Sequence, residues 1–195
     1  MSELAPRRMG RPQKQVINPA LKTALADFQT PRGSNAPQRK RNIIDTTFYL
    51  NVDVKGASGI MNLVDSNTKR VVGITNFDGN ALNAGREISI RGVRLLMGSK
   101  SETDMKNADY NFGYVTPEVK NAELRIIQGE NRLIDMPVSD IVQFKDADFR
   151  SLITNAFIKS QEDFRIELEF PKGVSVPTSV SAFIRLEFRL AESKR

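Results

Sequence analysis

The chain has 195 residues, 29 Lys and Arg against 23 Asp and Glu, and a formal net charge of +6. It contains neither Cys nor His, which excludes disulfides, thiolate nucleophiles, zinc–thiolate and iron–sulfur centres, imidazole ligands and any Ser-His-Asp triad. The charge is unevenly placed. Residues 1–41 carry nine basic residues against Glu3 and Asp27, a net +7, whereas residues 42–195 carry twenty basic and twenty-one acidic residues, a net −1. That asymmetry predicts a basic arm over 1–41 attached to a near-neutral domain over 42–195.

Residues 1–15 are polar, basic and Pro-containing, a composition that cannot bury enough surface to fold alone. Over 18–28 the arm reads as a short helix. Asn18 is a good N-cap, Pro19 suits the first helical position, and Leu21, Leu25 and Phe28 follow the i, i+4, i+7 stripe. So short a helix needs a surface to dock on, either a partner or the chain's own body. Residues 29–42 return to linker chemistry with Pro31, Gly33 and Pro37. No apolar run approaches the ~18–20 residues of a membrane span, and no apolar stretch follows the N-terminal charges, so neither a transmembrane segment nor a secretory leader is expected.

From Asn42 onward the pattern is that of strands. Thr46–Val54 places Phe48, Leu50, Val52 and Val54 on one face. Ile60–Val64 and Lys69–Ile74 are short candidates flanking an Asp65-Ser66-Asn67 turn, and Asp78-Gly79 is a candidate hairpin turn. Glu87–Leu96 carries Ile88 and Ile90, then Val93 and Leu95, so its face switches at Gly92; this predicts a bulge or a close backbone approach. Asn111–Val115, Ala122–Gln128 and Arg132–Val138 are further candidates. Asp146–Phe157 sets Phe149, Leu152, Ile153 and Ala156 at helical spacing and predicts one short helix.

Two closing strands alternate most clearly, Phe164–Phe170 and Val180–Leu190, each with one apolar and one polar face. If paired with each other, they would bring Arg185 or Arg189 near Glu167 or Glu169. The loop between them, Pro171–Pro177, sets valines between prolines and is either a neighbour contact or a rigid connection. Many short strands, frequent turns and one helix predict an all-β fold, an antiparallel β-sandwich of jelly-roll type with an extended basic N-terminal arm.

Among candidate sites the arm cations Arg7, Arg8, Arg11, Lys14, Arg39, Lys40 and Arg41 stand first, because phosphate neutralisation needs charge density and no fixed fold. The other readings of that charge are docking into an acidic groove on a neighbouring subunit, idle solvated charge, or a small nuclear-import patch at Gln38–Arg41. Leu21, Leu25 and Phe28 are the candidate docking stripe. Tyr110, Phe112 and Tyr114 alternate, as core, interface or base-stacking residues would. The aspartates at 53, 65, 78, 104, 109, 146 and 148 fit turn and cap roles better than a calcium loop. Glu162 and Asp163 beside Glu167 and Glu169 could suggest a carboxylate pair, but strand alternation places most of them outward and solvated. No metal, cofactor, small-molecule substrate or enzymatic activity is expected.

The basic pair Arg7-Arg8, the cluster Arg39-Lys40-Arg41, the strand-rich body and its two closing strands resemble the jelly-roll coat and minor virion proteins of icosahedral phages and viruses. The resemblance implies a structural role in a virion assembled in the host cytoplasm. The body would contact neighbouring copies, and the arm would tether subunits, genome or both. The rival expectation is a free cytoplasmic nucleic-acid-binding protein with an OB-like barrel and a basic tail. A third, an enzyme on a β-sandwich, would need a paired-carboxylate cleft that the sequence does not supply.

Overall fold

Alternating β-branched and aromatic residues become two antiparallel sheets in the computed structural model, which describes residues 42–111, 114–142 and 149–194. In chain order the elements are β1 (Asn42–Asp53), β2 (Ile60–Asn62), β3 (Arg86–Gly98), β4 (Tyr110–Asn111), α1 (Pro117–Lys120), β5 (Glu123–Gln128), β6 (Asn131–Pro137), α2 (Val138–Val142), β7 (Arg150–Ile158), β8 (Phe164–Glu169) and β9 (Phe183–Lys194). One sheet runs β1-β9-β3, with β7 and the two-residue β4 following one another along the far side of β3; the other runs β2-β8-β5-β6. With β4 set aside, the eight remaining strands, counted in chain order, lie as 1-8-3-6 and 2-7-4-5. That is the double Greek-key order of a jelly roll.

The core lies between the sheets. Phe48, Leu50, Ile90, Leu95, Leu186 and Phe188 face Leu124, Ile126, Ile166 and Leu168 within one buried cluster. Register is fixed by the large apolar side chains that dominate the inward rows. Leu50 opposes Leu186 and Phe48 opposes Phe188, and a one-residue slip would send the whole row to the outer face. The tight β5–β6 connection, Gly129-Glu130, opens on a glycine at φ +57°, the left-handed conformation a two-residue hairpin turn demands.

The two closing strands do not pair with each other. β8 lies in the smaller sheet between β2 and β5, and β9 lies in the larger one between β1 and β3. Arg185 therefore meets Glu187 on its own strand, while Glu169 meets Arg125 of β5. Nor is the polar face of β9 wet. Central placement leaves Glu187 and Phe183 buried, and only Arg189 and Lys194 of that strand are exposed.

Residues 150–158 form a strand, not the helix expected over Asp146–Phe157. They pair with β3, Ile158 opposite Ile88 and Ala156 opposite Ile90. The helical spacing was produced by an irregularity: between Ala156 and Ser151 the register slips, so residues 152–155 face only Arg91. An interrupted alternation mimics a 3.6 period, and pairing with a long central strand outweighs local preference. Ile153, which a helix would have placed on its apolar stripe, is 94% exposed. The described helices are instead single turns: α1 starts at Pro117 after Thr116, and α2 buries Val138 and Ile141.

Lys69–Ile74 is likewise not a strand of either sheet. It belongs to the long β2–β3 connection, which folds along the free edge of β1. There the Asn51 N–H donates to the Ile74 carbonyl (2.7 Å), and Leu50 bridges Thr75. A loop laid on an edge strand removes its template for unwanted pairing. Asp78-Gly79 turns inside this connection, the Asp78 carboxylate accepting from the Arg70 N–H, and does not join two strands of a hairpin.

Candidate interaction surface

The chemistry of the described body concentrates on the outer face of the larger sheet. Register places Asn51, Arg185 and Leu96 in one row, Tyr49, Glu187 and Arg94 in the next, and Thr47, Arg189 and Gly92 in a third. Glu187 sits at the centre. Arg185 Nε donates to its Oε1 at 2.6 Å and Arg94 Nε to its Oε2 at 2.8 Å. Burial pushes the Glu187 carboxyl pKa up, but the hydrogen bonds from Arg185 and Arg94 outweigh it and leave the value below the usual carboxylate range. Arg185 also stacks 4.1 Å over Tyr49. Burial raises the Tyr110 phenol to about 12 against the opposing charge of Arg185, and its hydroxyl donates to the Met105 carbonyl at 2.7 Å.

One row along, the face switch at Gly92 is both a bulge and a close approach. Ile90 and Gly92 oppose the consecutive residues Leu190 and Arg189, so Arg91 is the extra residue and its side chain is re-aimed. A Cβ on Gly92 would stand 3.1 Å from Cβ of Phe149, so the glycine lets the segment carrying that ring lie close to the strand, and any larger residue would ask Phe149 to give by a few tenths of an ångström. Arg94 and Arg189 each stack over the Phe149 ring at 4.5 Å. Each such contact contributes about 0.5–1 kcal/mol and restrains a long side chain.

Beside this bulge lies an open pocket of about 410 Å³, lined by Asp45, Thr46 and Thr47 of β1, Arg91 of β3, and Arg189 and Leu190 of β9. The floor is low because the outward residues there, Ser89 and Ala191, are small. Ala191 is covered by Ile43 and Phe157, which close one end with apolar surface. Among the described residues the lining holds the guanidinium groups of Arg91 and Arg189 and the carboxylate of Asp45.

The smaller sheet carries the converse pattern. Arg125 is central and mostly buried, and it is surrounded by Glu123 (2.8 Å), Asp135 (3.2 Å) and Glu169. Burial lowers the Arg125 pKa, but hydrogen bonds to Glu123 and Asp135 outweigh this and raise it, so the guanidinium stays charged.

The arm cations Arg7, Arg8, Arg11, Lys14, Arg39, Lys40 and Arg41, and the stripe Leu21, Leu25 and Phe28, lie outside the described residues, as do Phe112, Asp146 and Asp148. The other expectations have definite outcomes. Tyr110 is half-buried near Arg185, whereas Tyr114 is exposed beneath Lys100, whose ammonium lies 5.2 Å above its ring. They turn to different neighbours and form no common platform. Asp53, Asp65, Asp78 and Asp104 accept hydrogen bonds from nearby backbone N–H groups, the turn roles expected of them. In the Pro171–Pro177 loop Val176 is buried and exchanges backbone hydrogen bonds with Gly56 and Ala57, which ties the loop to the β1–β2 connection. Among the described residues no group of three or more His, Cys, Asp or Glu could hold a metal ion, and no helix is long and apolar enough to cross a membrane.

Nothing local in β9 signals the arginine-rich outer face, because its period-two alternation reads as one wet face. The readable signal was the bulge at Gly92, which marks where the sheet changes its outer face. No protein-family model matches the chain, and no curated protein or solved structure matches it.

Proposed function

We propose that this chain is a non-enzymatic structural component of a large assembly, a virion or capsid subunit assembled in the host cytoplasm. The observation that carries the reading is the jelly-roll strand order, 1-8-3-6 over 2-7-4-5, joined to an N-terminal segment of net +7. A sandwich of this kind presents two lateral edges. On the larger sheet they carry exposed apolar residues at opposite sides: Ile153 on β7 at one, and Val72, 83% exposed, on the loop along β1 at the other. Apolar residues on two opposed edges support head-to-tail contact between copies. The arm tethers neighbouring subunits, the genome or both.

Light scattering coupled to size exclusion, with electron microscopy of the eluted material, tests the reading on the full chain. Multimers or particles are expected, and Ile153→Asp is expected to shift them toward monomer. A strict monomer across concentration and salt overturns it.

The charge asymmetry favours a second reading, nucleic-acid binding by the arm of a free protein. The OB-like barrel expected with it is not the fold, which is an open two-sheet sandwich. If the arm contacts about seven duplex phosphates, log affinity falls with log salt at a slope near −6. Replacing the seven arm cations by Gln in the full chain abolishes that dependence; unchanged affinity removes the arm from the interface.

A further inference from the structure

Beyond the pocket, toward the end of the larger sheet where β1 begins and β9 ends, the outer face changes from charged to small and apolar. Register turns Ile43, Ser193 and Glu87 outward in one row, and Asp45, Ala191, Ser89 and Phe157 in the next. The middle of this face is a floor of Ser89, Ala191 and Ser193, each 1% exposed or less. Ile43 and Phe157 stand as walls on either side and pack on Ala191 in an apolar cluster separate from the main core. The walls lie on β1 and β7, three strand spacings or about 14 Å apart. An α-helix with its side chains is about 10–12 Å across, so a trough of this width holds one helix lying over the floor. Apolar packing consumes no donor, so neither wall has to be without other contacts to take part.

The floor also holds an unmet polar demand. The Ser193 hydroxyl is buried and has no hydrogen-bond partner, on a face that alternation turns away from the core. Such a hydroxyl is destabilising until a segment bringing a polar group among apolar ones lies over it. The chain itself carries a segment of that composition. At about 100° per residue Leu21, Ala24, Leu25 and Phe28 share one face, Ala24 is small at its centre, and Asn18 stands one turn before Leu21 on the same side. A helix of this length is marginal in water and needs a surface. Only fifteen residues separate Phe28 from the wall at Ile43, a tether of at most ~50 Å, so the stripe is held within reach of the trough.

We propose that this trough is the docking site of the chain's own segment 18–28, which packs as a helix between Ile43 and Phe157 through Leu21, Leu25 and Phe28. The occupant is the same chain's because a short tether sets an effective concentration of about millimolar, which a neighbouring copy's segment at micromolar concentration does not match. Docking anchors the arm in its middle. Residues 29–41 become a closed loop, and Arg7, Arg8, Arg11 and Lys14 issue from the outer face of the larger sheet instead of trailing from the start of β1. The anchoring is the same whether those cations meet nucleic acid or a neighbouring subunit, and it stands apart from the assembly reading.

The test is hydrogen–deuterium exchange of the full chain, read by mass spectrometry at micromolar concentration. Peptides from 18–28 are expected to exchange at least about tenfold more slowly than those from 1–15, because a docked helix opens seldom and an undocked one frays. Leu21→Asp with Leu25→Asp leaves every residue of the body unchanged and is expected to return 18–28 to the rate of 1–15. Ile43→Ala with Phe157→Ala strips both walls and is expected to lower the protection about tenfold. Should that variant fail to fold, Ile43→Ala alone, at the start of β1, carries the test with a drop of about threefold. Absence of protection over 18–28 in the wild type overturns the docking. Protection lost in the stripe variant but untouched in the wall variants overturns the trough and puts the segment elsewhere. Refolding the stripe variant together with the wall variant separates the occupants. Continued loss over the wall variant's intact 18–28 is the result expected, and restored protection there overturns docking within one chain in favour of a neighbouring copy.

Discussion

The outer faces of the two sheets solve the same electrostatic problem with opposite signs. On the larger sheet a buried glutamate, Glu187, is held between Arg94 and Arg185; on the smaller sheet a mostly buried arginine, Arg125, is held among Glu123, Asp135 and Glu169. The immediate neighbours of the central anion are cations, and those of the central cation are anions.

The environments differ too, and so do the expected energies. The Glu187 side chain is 8% exposed and its two arginines 24% each, whereas the carboxylates around Arg125 are 38–50% exposed. Screening by water weakens the second cluster, and the first keeps its value only while every member is present.

Substitutions sharpen the contrast. The largest effect is expected at Gly92, where the cationic face depends on backbone shape. Gly92→Val crowds Phe149, whose Cβ would lie 3.1 Å from the new Cβ, and is expected to cost about 1–3 kcal/mol in urea denaturation. It also frees Arg94 and Arg189 from their shared ring. Next comes Glu187→Gln, expected to cost about 1–2 kcal/mol, because two partly buried arginines lose their carboxylate. The same variant tests the pH dependence. The Glu187 pKa is lowered in the folded state, so its stabilisation is fully present above the ordinary carboxylate pKa of about 4.3. It is lost as pH falls through the lowered value. Wild-type stability should decline over that acid window more steeply than that of Glu187→Gln, and parallel curves would show that the pair is not coupled to folding. The smallest effect is expected on the other sheet: Arg125→Gln should cost under about 1 kcal/mol and fade further in salt. A loss at Arg125 equal to that at Glu187 would erase the distinction between the faces.

Legibility followed the range of the interaction. The apolar rows of β1, β3, β5, β8 and β9 were readable because strand period is local, and the bulge was readable because Gly92 interrupts that period within one segment. Asp53, Asp65 and Asp104 were readable for the same reason: each accepts from the backbone N–H two residues on. Failures occurred where the outcome depended on a distant strand. The spacing of Phe149, Leu152, Ile153 and Ala156 carries a helical signature that only pairing with β3 contradicts. The clear alternation of Arg185, Glu187 and Arg189 looked solvated because nothing local says that β9 lies between two other strands.

Sequence alone determined that a net +7 segment precedes an all-β body with no Cys or His chemistry, since composition, charge and period two are properties of the chain itself. Tertiary structure decided which strands are neighbours. Long-range pairing separated the two closing strands into different sheets, sank Glu187 between two arginines, and drew Asp45, Thr47, Arg91 and Arg189 from three strands to one pocket. The physical reason is that strand order is set by the joint burial of both sheets, and no segment carries that information by itself.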